Sequence, residues 1–174
     1  DNLAQRLPAL ARAEGVTIYM MLLAAFQVLL HRYSGQEDIL VGSPTTGRSQ
    51  AEFAGIVGYF VNPVVMRADL RGNPTFKEFL KQIRQVVLGA LAHQDLPFPL
   101  LVERLHPRRD PSRSPLFQVF FVIQKPQQSS GVGNLLESGG KVNWGGLDLE
   151  PFKMPQMEGQ FDLTLEIERG MDCV

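Results

Sequence analysis

Between Ile18 and Leu30 every position except Gln27 is apolar, and no other segment restricts the fold so tightly. Crossing a bilayer takes about 20 apolar residues, so the run is too short for a membrane span. A helix that is apolar on almost every side must instead be covered on most of them. Thr17 supplies an N-cap hydroxyl and Gly35 a helix stop, which predicts a core helix over Ile18 to Arg32. Ahead of it, Leu3, Leu7, Leu10 and Ala11 fall on one helical stripe that ends at Gly15, predicting a first helix over about residues 2–13.

The layers around that core helix are strands and one more long helix. Asp38 to Gly42 is β-branched-rich and reads as a buried strand, with Ser43 to Ser49 as the loop after it. Val61 to Leu70 is extended, but Pro63 lacks a backbone donor and places this segment at a sheet edge beside an opening. Thr75 and Glu78 form a capping box for a helix reaching about His93. Pro97 and Pro99 break it before a short helical turn over Leu100 to Leu105. Leu116 to Ile123 is apolar except for Gln118 and reads as the central strand. Lys125 to Gly146 lacks periodicity and reads as a long loop, whereas Phe161 to Glu168 alternates as a half-buried strand. The result is α/β: a mixed β-sheet with helices packed on it.

Charge and cysteine content exclude several functions. The 17 Lys and Arg against 18 Asp and Glu leave a net charge of -1, with no basic block for nucleic acid. The single cysteine, Cys173, allows neither an internal disulfide nor a cysteine-based zinc site. No metal site, nucleic-acid partner or membrane partner is therefore expected.

Three segments, in order, carry a resemblance. Ile56-Val57-Gly58-Tyr59-Phe60-Val61-Asn62 with Arg67 beyond it is similar to a Gly-x-Phe-Val-Asn segment followed by arginine. His93-Gln94-Asp95-Leu96-Pro97-Phe98 resembles a His-Gln-Asp-x-Pro-Phe segment, and Arg109-Asp110-Pro111-Ser112-Arg113-Ser114-Pro115-Leu116 an Arg-Asp-x-Ser-Arg-x-Pro-Leu segment. With Gly47-Arg48 upstream, they resemble the late motifs of condensation domains of nonribosomal peptide synthetases.

That resemblance implies one lobe of a two-lobed chloramphenicol-acetyltransferase-like fold around a tunnel. Donor and acceptor peptidyl carrier proteins present thioesters on phosphopantetheine arms, the acceptor amine attacks the donor thioester, and an amide forms. No directly bound cofactor is implied. The implied partners are the N-terminal lobe of the same domain, the two carrier proteins and an adjacent adenylation domain, in the cytoplasm. The family's catalytic His-His-x-x-x-Asp-Gly motif is absent, because the three histidines, His31, His93 and His106, are not adjacent. Residues 1–174 are thus expected to be a C-terminal lobe truncated at both ends and inactive alone. Gly58, Tyr59 and Asn62 are the candidate tunnel residues, with a turn-stabilising amide as the other reading of Asn62. Arg48, Arg67, His93, Gln94, Asp95, Arg109, Asp110 and Arg113 are assigned to structural motifs. The competing readings are a non-catalytic scaffold or carrier-docking module, and a lobe of a related acyltransferase.

Overall fold

A computed structural model of the chain describes residues 2–108, 110–124, 141–150, 152 and 159–168. Helices α1 (Asn2–Ala13) and α2 (Ile18–Ser34) lead into strand β1 (Asp38–Thr45) and, after a 3-10 turn at Ala51–Phe53, strand β2 (Asn62–Asp69). Helices α3 (Phe76–Ala92) and α4 (Phe98–Leu105) follow, then β3 (Val119–Gln124), β4 (Val142–Trp144), β5 (Leu147–Leu149) and β6 (Leu163–Glu168). One sheet has the order β2-β1-β3-β6, with β1 antiparallel to β2 and parallel to β3, and β3 parallel to β6. The sheet is mixed, β3 is interior and β2 lies at an edge, as Pro63 requires. No single helix among the described residues is long and apolar enough to cross a membrane.

Strand alternation sends Ile39, Val41, Val64, Met66, Ala68 and Phe121 to one face, where they meet Met20, Leu23 and Ala24 of α2 and Phe79, Ile83 and Val87 of α3. Thr17 accepts from the Met20 N–H at the start of α2, and Thr75 and Glu78 close the capping box at the start of α3. Gln27, the polar interruption in the apolar run, is buried and donates from Nε2 to the Met66 carbonyl at 3.0 Å, tying α2 to β2. On the other face lies an aromatic group of Phe98, Phe117, Phe120 and Phe161, with ring centroids 4.6 to 6.1 Å apart. Gly42 makes room for it, since a Cβ there would stand 2.2 Å from the Phe117 ring.

Several boundaries differ from the sequence expectation. β1 continues through Ser43, Pro44 and Thr45, which read as loop. Pro44 lies opposite Pro63, and the β1–β3 ladder is registered only at Val41–Val119 and Gly42–Phe120. Side-chain hydroxyls add cross-strand bonds there: Ser43 Oγ donates to the Phe121 carbonyl at 2.8 Å, and Thr45 Oγ1 to the Asn62 carbonyl at 2.9 Å. Tyr19 Oη in turn donates to Ser43 Oγ at 2.7 Å, and burial raises the Tyr19 phenol pKa although this bond opposes the shift. β3 begins at Val119 rather than Leu116, whose positive φ of 69° turns the chain into the strand. β6 likewise begins two residues after Phe161. Within the stretch read as a long loop, Val142–Trp144 pairs with Leu147–Leu149 across Gly145 and Gly146, both at positive φ as a tight turn requires. Residues 125–140 of that stretch lie outside the described residues.

At the far end of β1 and β2, Asp38 and Asp69 are directly opposite, a repulsive pairing unless each charge is answered. Arg67 donates to both oxygens of Asp38 at 2.9 and 2.8 Å, and Arg71 forks onto Asp69. The side-chain bonds from Arg71 hold the Asp69 carboxyl at about 2, and those from Arg67 lower that of Asp38.

Two measurements check these assignments. Ser43→Ala strands both the Tyr19 hydroxyl and the Phe121 carbonyl, so urea unfolding should show a loss of ~1–3 kcal/mol, exceeding the ~1 kcal/mol expected for Tyr19→Phe. A larger loss for Tyr19→Phe would contradict the hydroxyl tie. A carboxyl titration followed by carbon-13 NMR should place Asp69 at about 2. Its folded value is depressed, so its contribution to stability is present above the unfolded value of about 3.9 and is lost as pH falls through the folded one.

Candidate functional site

Beyond Thr45 the chain leaves the sheet as a loop that returns at Asn62, and Gly47 sets its first bend. Gly47 has φ 62°, and a Cβ there would stand 1.8 Å from the Phe60 carbonyl oxygen, so only glycine fits. The next residue, Arg48, becomes the centre of the loop. Its guanidinium donates to the carbonyls of Phe53, Ile56 at 2.8 Å and Gly58 at 3.4 Å, and Cζ sits 4.3 Å from the Phe60 ring centroid. Phe60 stacks on Phe53 at 5.7 Å. Tyr59 is left 87% exposed at the rim. Gly58 is not at positive φ, and a Cβ there would come 3.3 Å from the Phe60 ring, tight but without backbone conflict.

The opposite wall is the connection from α3 to α4. A helix end leaves backbone groups without intrahelical partners, and Pro97 and Pro99 prevent the helix from continuing to satisfy them. Asn62 does so from β2: Nδ2 donates to the Gln94 and Leu96 carbonyls, both at 2.8 Å, while Oδ1 accepts from the Phe98 N–H at 3.0 Å. Two carbonyls and one N–H fix which end of the amide is nitrogen. His93 caps α3 and donates from Nδ1 to the Gly89 carbonyl at 2.9 Å. Ser49 Oγ donates to Asp95 Oδ1 at 2.9 Å, joining the two walls.

Between the walls lies an open cleft of about 410 Å³, lined on one side by Gly47, Ser49, Phe53, Tyr59 and Phe60 and on the other by Gln94, Asp95 and Pro97, with Asn62 at the junction. Its surface is aromatic and amide-like. No histidine lines it, and no cluster of His, Cys, Asp or Glu suited to a metal occurs among the described residues. His31 donates from Nδ1 to the Gln36 carbonyl at the end of α2, and His106 follows α4 at φ 45°.

The structure therefore brings the first two sequence segments together and leaves the third apart. Tyr59, Asn62, Gln94 and Asp95 share the cleft, Arg48 and Gly58 stand behind its loop wall, and Arg67 lies at the far end of β2. The Asp110 carboxylate accepts from the Ser112 N–H at 3.0 Å and the Ser112 hydroxyl at 2.7 Å. Arg113 approaches it only through Nε at 3.9 Å, with both side chains exposed. Arg109 lies outside the described residues. Sequence reasoning missed the roles of Phe53 and Ser49, whose only signal is proximity to Gly47-Arg48.

A sequence model described as Condensation domain matches residues 1–173. The chain belongs to the condensation-domain family. It is 42% identical over 164 residues to tyrocidine synthase 3 of Brevibacillus parabrevis, covering 94% of the chain and 2% of that protein. A four-domain nonribosomal peptide synthetase solved with AMP and glycine superposes with a TM-score of 0.86 at 27% identity, over 99% of this chain and 13% of that one. The condensation domain of the Monacolin K polyketide synthase MokA superposes at 0.65 and 30% identity, over 75% of this chain and 30% of that one. The fold is that of condensation domains, chloramphenicol-acetyltransferase-like, and the chain spans a small part of the length of these relatives.

The Asn62 junction is testable by substitution. Asn62→Ala should cost ~1–3 kcal/mol in urea unfolding by stranding the groups it joins. Asn62→Asp should cost more, because a carboxylate cannot donate to two carbonyls and brings a charge against them. A better-tolerated Asp would show that the amide donors are not what holds the α3–α4 connection.

Proposed function

We propose that this chain is the C-terminal lobe of a nonribosomal peptide synthetase condensation domain and forms part of the wall of its reaction tunnel. The observation that carries the reading is the meeting of the Gly58–Asn62 and His93–Phe98 segments at one cleft, joined by Asn62. In this reading the amine of an acceptor aminoacyl thioester attacks a donor acyl or peptidyl thioester, forming the amide and releasing the donor carrier's thiol. Both substrates arrive on phosphopantetheine arms of carrier proteins, and the lobe binds no cofactor of its own. The enzyme works in the cytoplasm, with an adenylation domain adjacent in the same synthetase.

The division of labour follows from what the cleft contains. Deprotonating or orienting the amine calls for a base within hydrogen-bond reach, and the His-His-x-x-x-Asp-Gly motif of the N-terminal lobe supplies it. Tyr59 and the backbone at Gly58 shape the passage, while Asn62 keeps the two walls in register as a positioning residue. Such a contribution acts through orientation of two bound reactants and needs both lobes.

Mass spectrometry of two loaded carrier proteins tests this. The chain alone should form no amide above the background rate, and addition of the N-terminal lobe should restore transfer. Product from the chain alone would overturn the assignment of the chemistry to the other lobe.

A further inference from the structure

The loop wall of the cleft is held in an unusual way. From Ala54 to Tyr59 every residue is exposed, and neither Phe53 nor Phe60 belongs to the buried core. The segment's own backbone bonds are confined to the turn around Phe53: Phe53 N–H to the Gln50 carbonyl, Ala54 N–H to Ala51 and Ile56 N–H to Phe53. Hydrophobic burial therefore cannot fix its position. The same stretch presents Val57, fully exposed, and Tyr59 beside it.

What spans it is one cation, beside the Phe53–Phe60 stack at its two ends. The Arg48 guanidinium reaches the carbonyls of Phe53, Ile56 and Gly58, which span the segment, and its flat face lies over the Phe60 ring at the segment's end. Charge-assisted bonds of this type are stronger than neutral ones, and the ring face adds a cation–π attraction. The planar fork matters, because a lysine ammonium of equal charge cannot reach three separated carbonyls and stack on a ring together. Gly47 makes the arrangement possible by admitting the Phe60 carbonyl where any side chain would collide.

We propose that Arg48 is a positioning residue for the transfer reaction: its fork holds the Phe53–Phe60 wall and so sets where Tyr59 stands at the mouth of the cleft. This rests on the reading of the cleft as tunnel wall. It differs from general fold support in its reach. Asn62 independently fixes the opposite wall through Gln94, Leu96 and Phe98, so loss of Arg48 frees one wall and leaves the other and the core in place.

Two readouts test it, one independent of activity. Phe53, Tyr59 and Phe60 are chymotrypsin sites within the held segment. In Arg48→Ala and Arg48→Lys, cleavage inside residues 53–60 should rise about tenfold under native conditions while cleavage elsewhere and Tm stay as in the parent chain. Should Arg48→Ala fail to fold, Arg48→Lys carries the test. Parent-like protection in Arg48→Lys, or a general rise in cleavage with a lowered Tm, would overturn the proposal. In the complete condensation domain, Arg48→Lys should lower kcat about tenfold with the carrier-protein KM unchanged, since orientation rather than docking is lost. Raised cleavage with an unchanged kcat would overturn the positioning role in the reaction while leaving both the hold on the wall and the reading of the cleft as tunnel wall intact, the latter being tested separately by product formation on mixing the two lobes.

Discussion

The end of the β1–β2 ladder sets where the cleft begins, and two prolines stand opposite each other just before it. Pro44 and Pro63 face one another near the end of the β1–β2 pair, and neither has an N–H to give. The β1–β2 register runs through this pair to Thr45–Asn62, whereas the β1–β3 ladder ends at Gly42–Phe120. Beside the proline pair the Ser43 hydroxyl reaches the Phe121 carbonyl of β3 and the Thr45 hydroxyl the Asn62 carbonyl of β2, and past Thr45 and Asn62 the two strands separate into the loop that builds the cleft. The opening begins where the β1–β2 ladder ends, and the edge position of β2 leaves the Asn62 side chain free to bond toward α3 and α4.

Polar side chains then do locally what backbone ladders do elsewhere. Asn62 satisfies three backbone groups left by the broken helix, and Arg48 satisfies three left by the irregular loop. Each group left unpaired costs more than a made bond returns, so both side chains act as single points of control over several residues. Between them, Ser49 and Asp95 add one exposed bond, a weak tie compared with these two clamps.

How much of this is legible in the sequence depends on whether the signal is local. The Thr17 and Thr75 caps, the Gly35 stop and the edge position of Pro63 follow from residues a few positions apart, and all four are readable. Ser43 to Thr45 reads as loop because serine, proline and threonine favour turns. Pairing with Val64, Pro63 and Asn62 of the distant β2 makes these residues strand, and the hydroxyl bonds to Phe121 and Asn62 add to it. The β4–β5 pair hides behind Gly145 and Gly146, whose turn chemistry is visible but whose flanking strands are three residues each, too short to show alternation. At the cleft, the motif residues are legible as types, while the bonds of Arg48 and Asn62 are not, since they run to backbone atoms that carry no side-chain identity.

That backbone character also explains what the cleft can do. Arg48 faces away from the opening onto carbonyls, and the hydrogen-bonding groups of Asn62 are directed into the α3–α4 connection. The ionisable side chains left along the lining are the Tyr59 phenol and the Asp95 carboxylate, the latter already accepting from Ser49. An aromatic and amide surface of this kind suits an extended, uncharged chain bearing amide groups, because it offers apolar walls with few competing charges. Proton transfer is a different demand, and it is met best by a group poised near neutral pH, such as an imidazole. All three histidines stand elsewhere, and what the geometry here provides is two walls of unlike construction, one held by Arg48 and the other by Asn62.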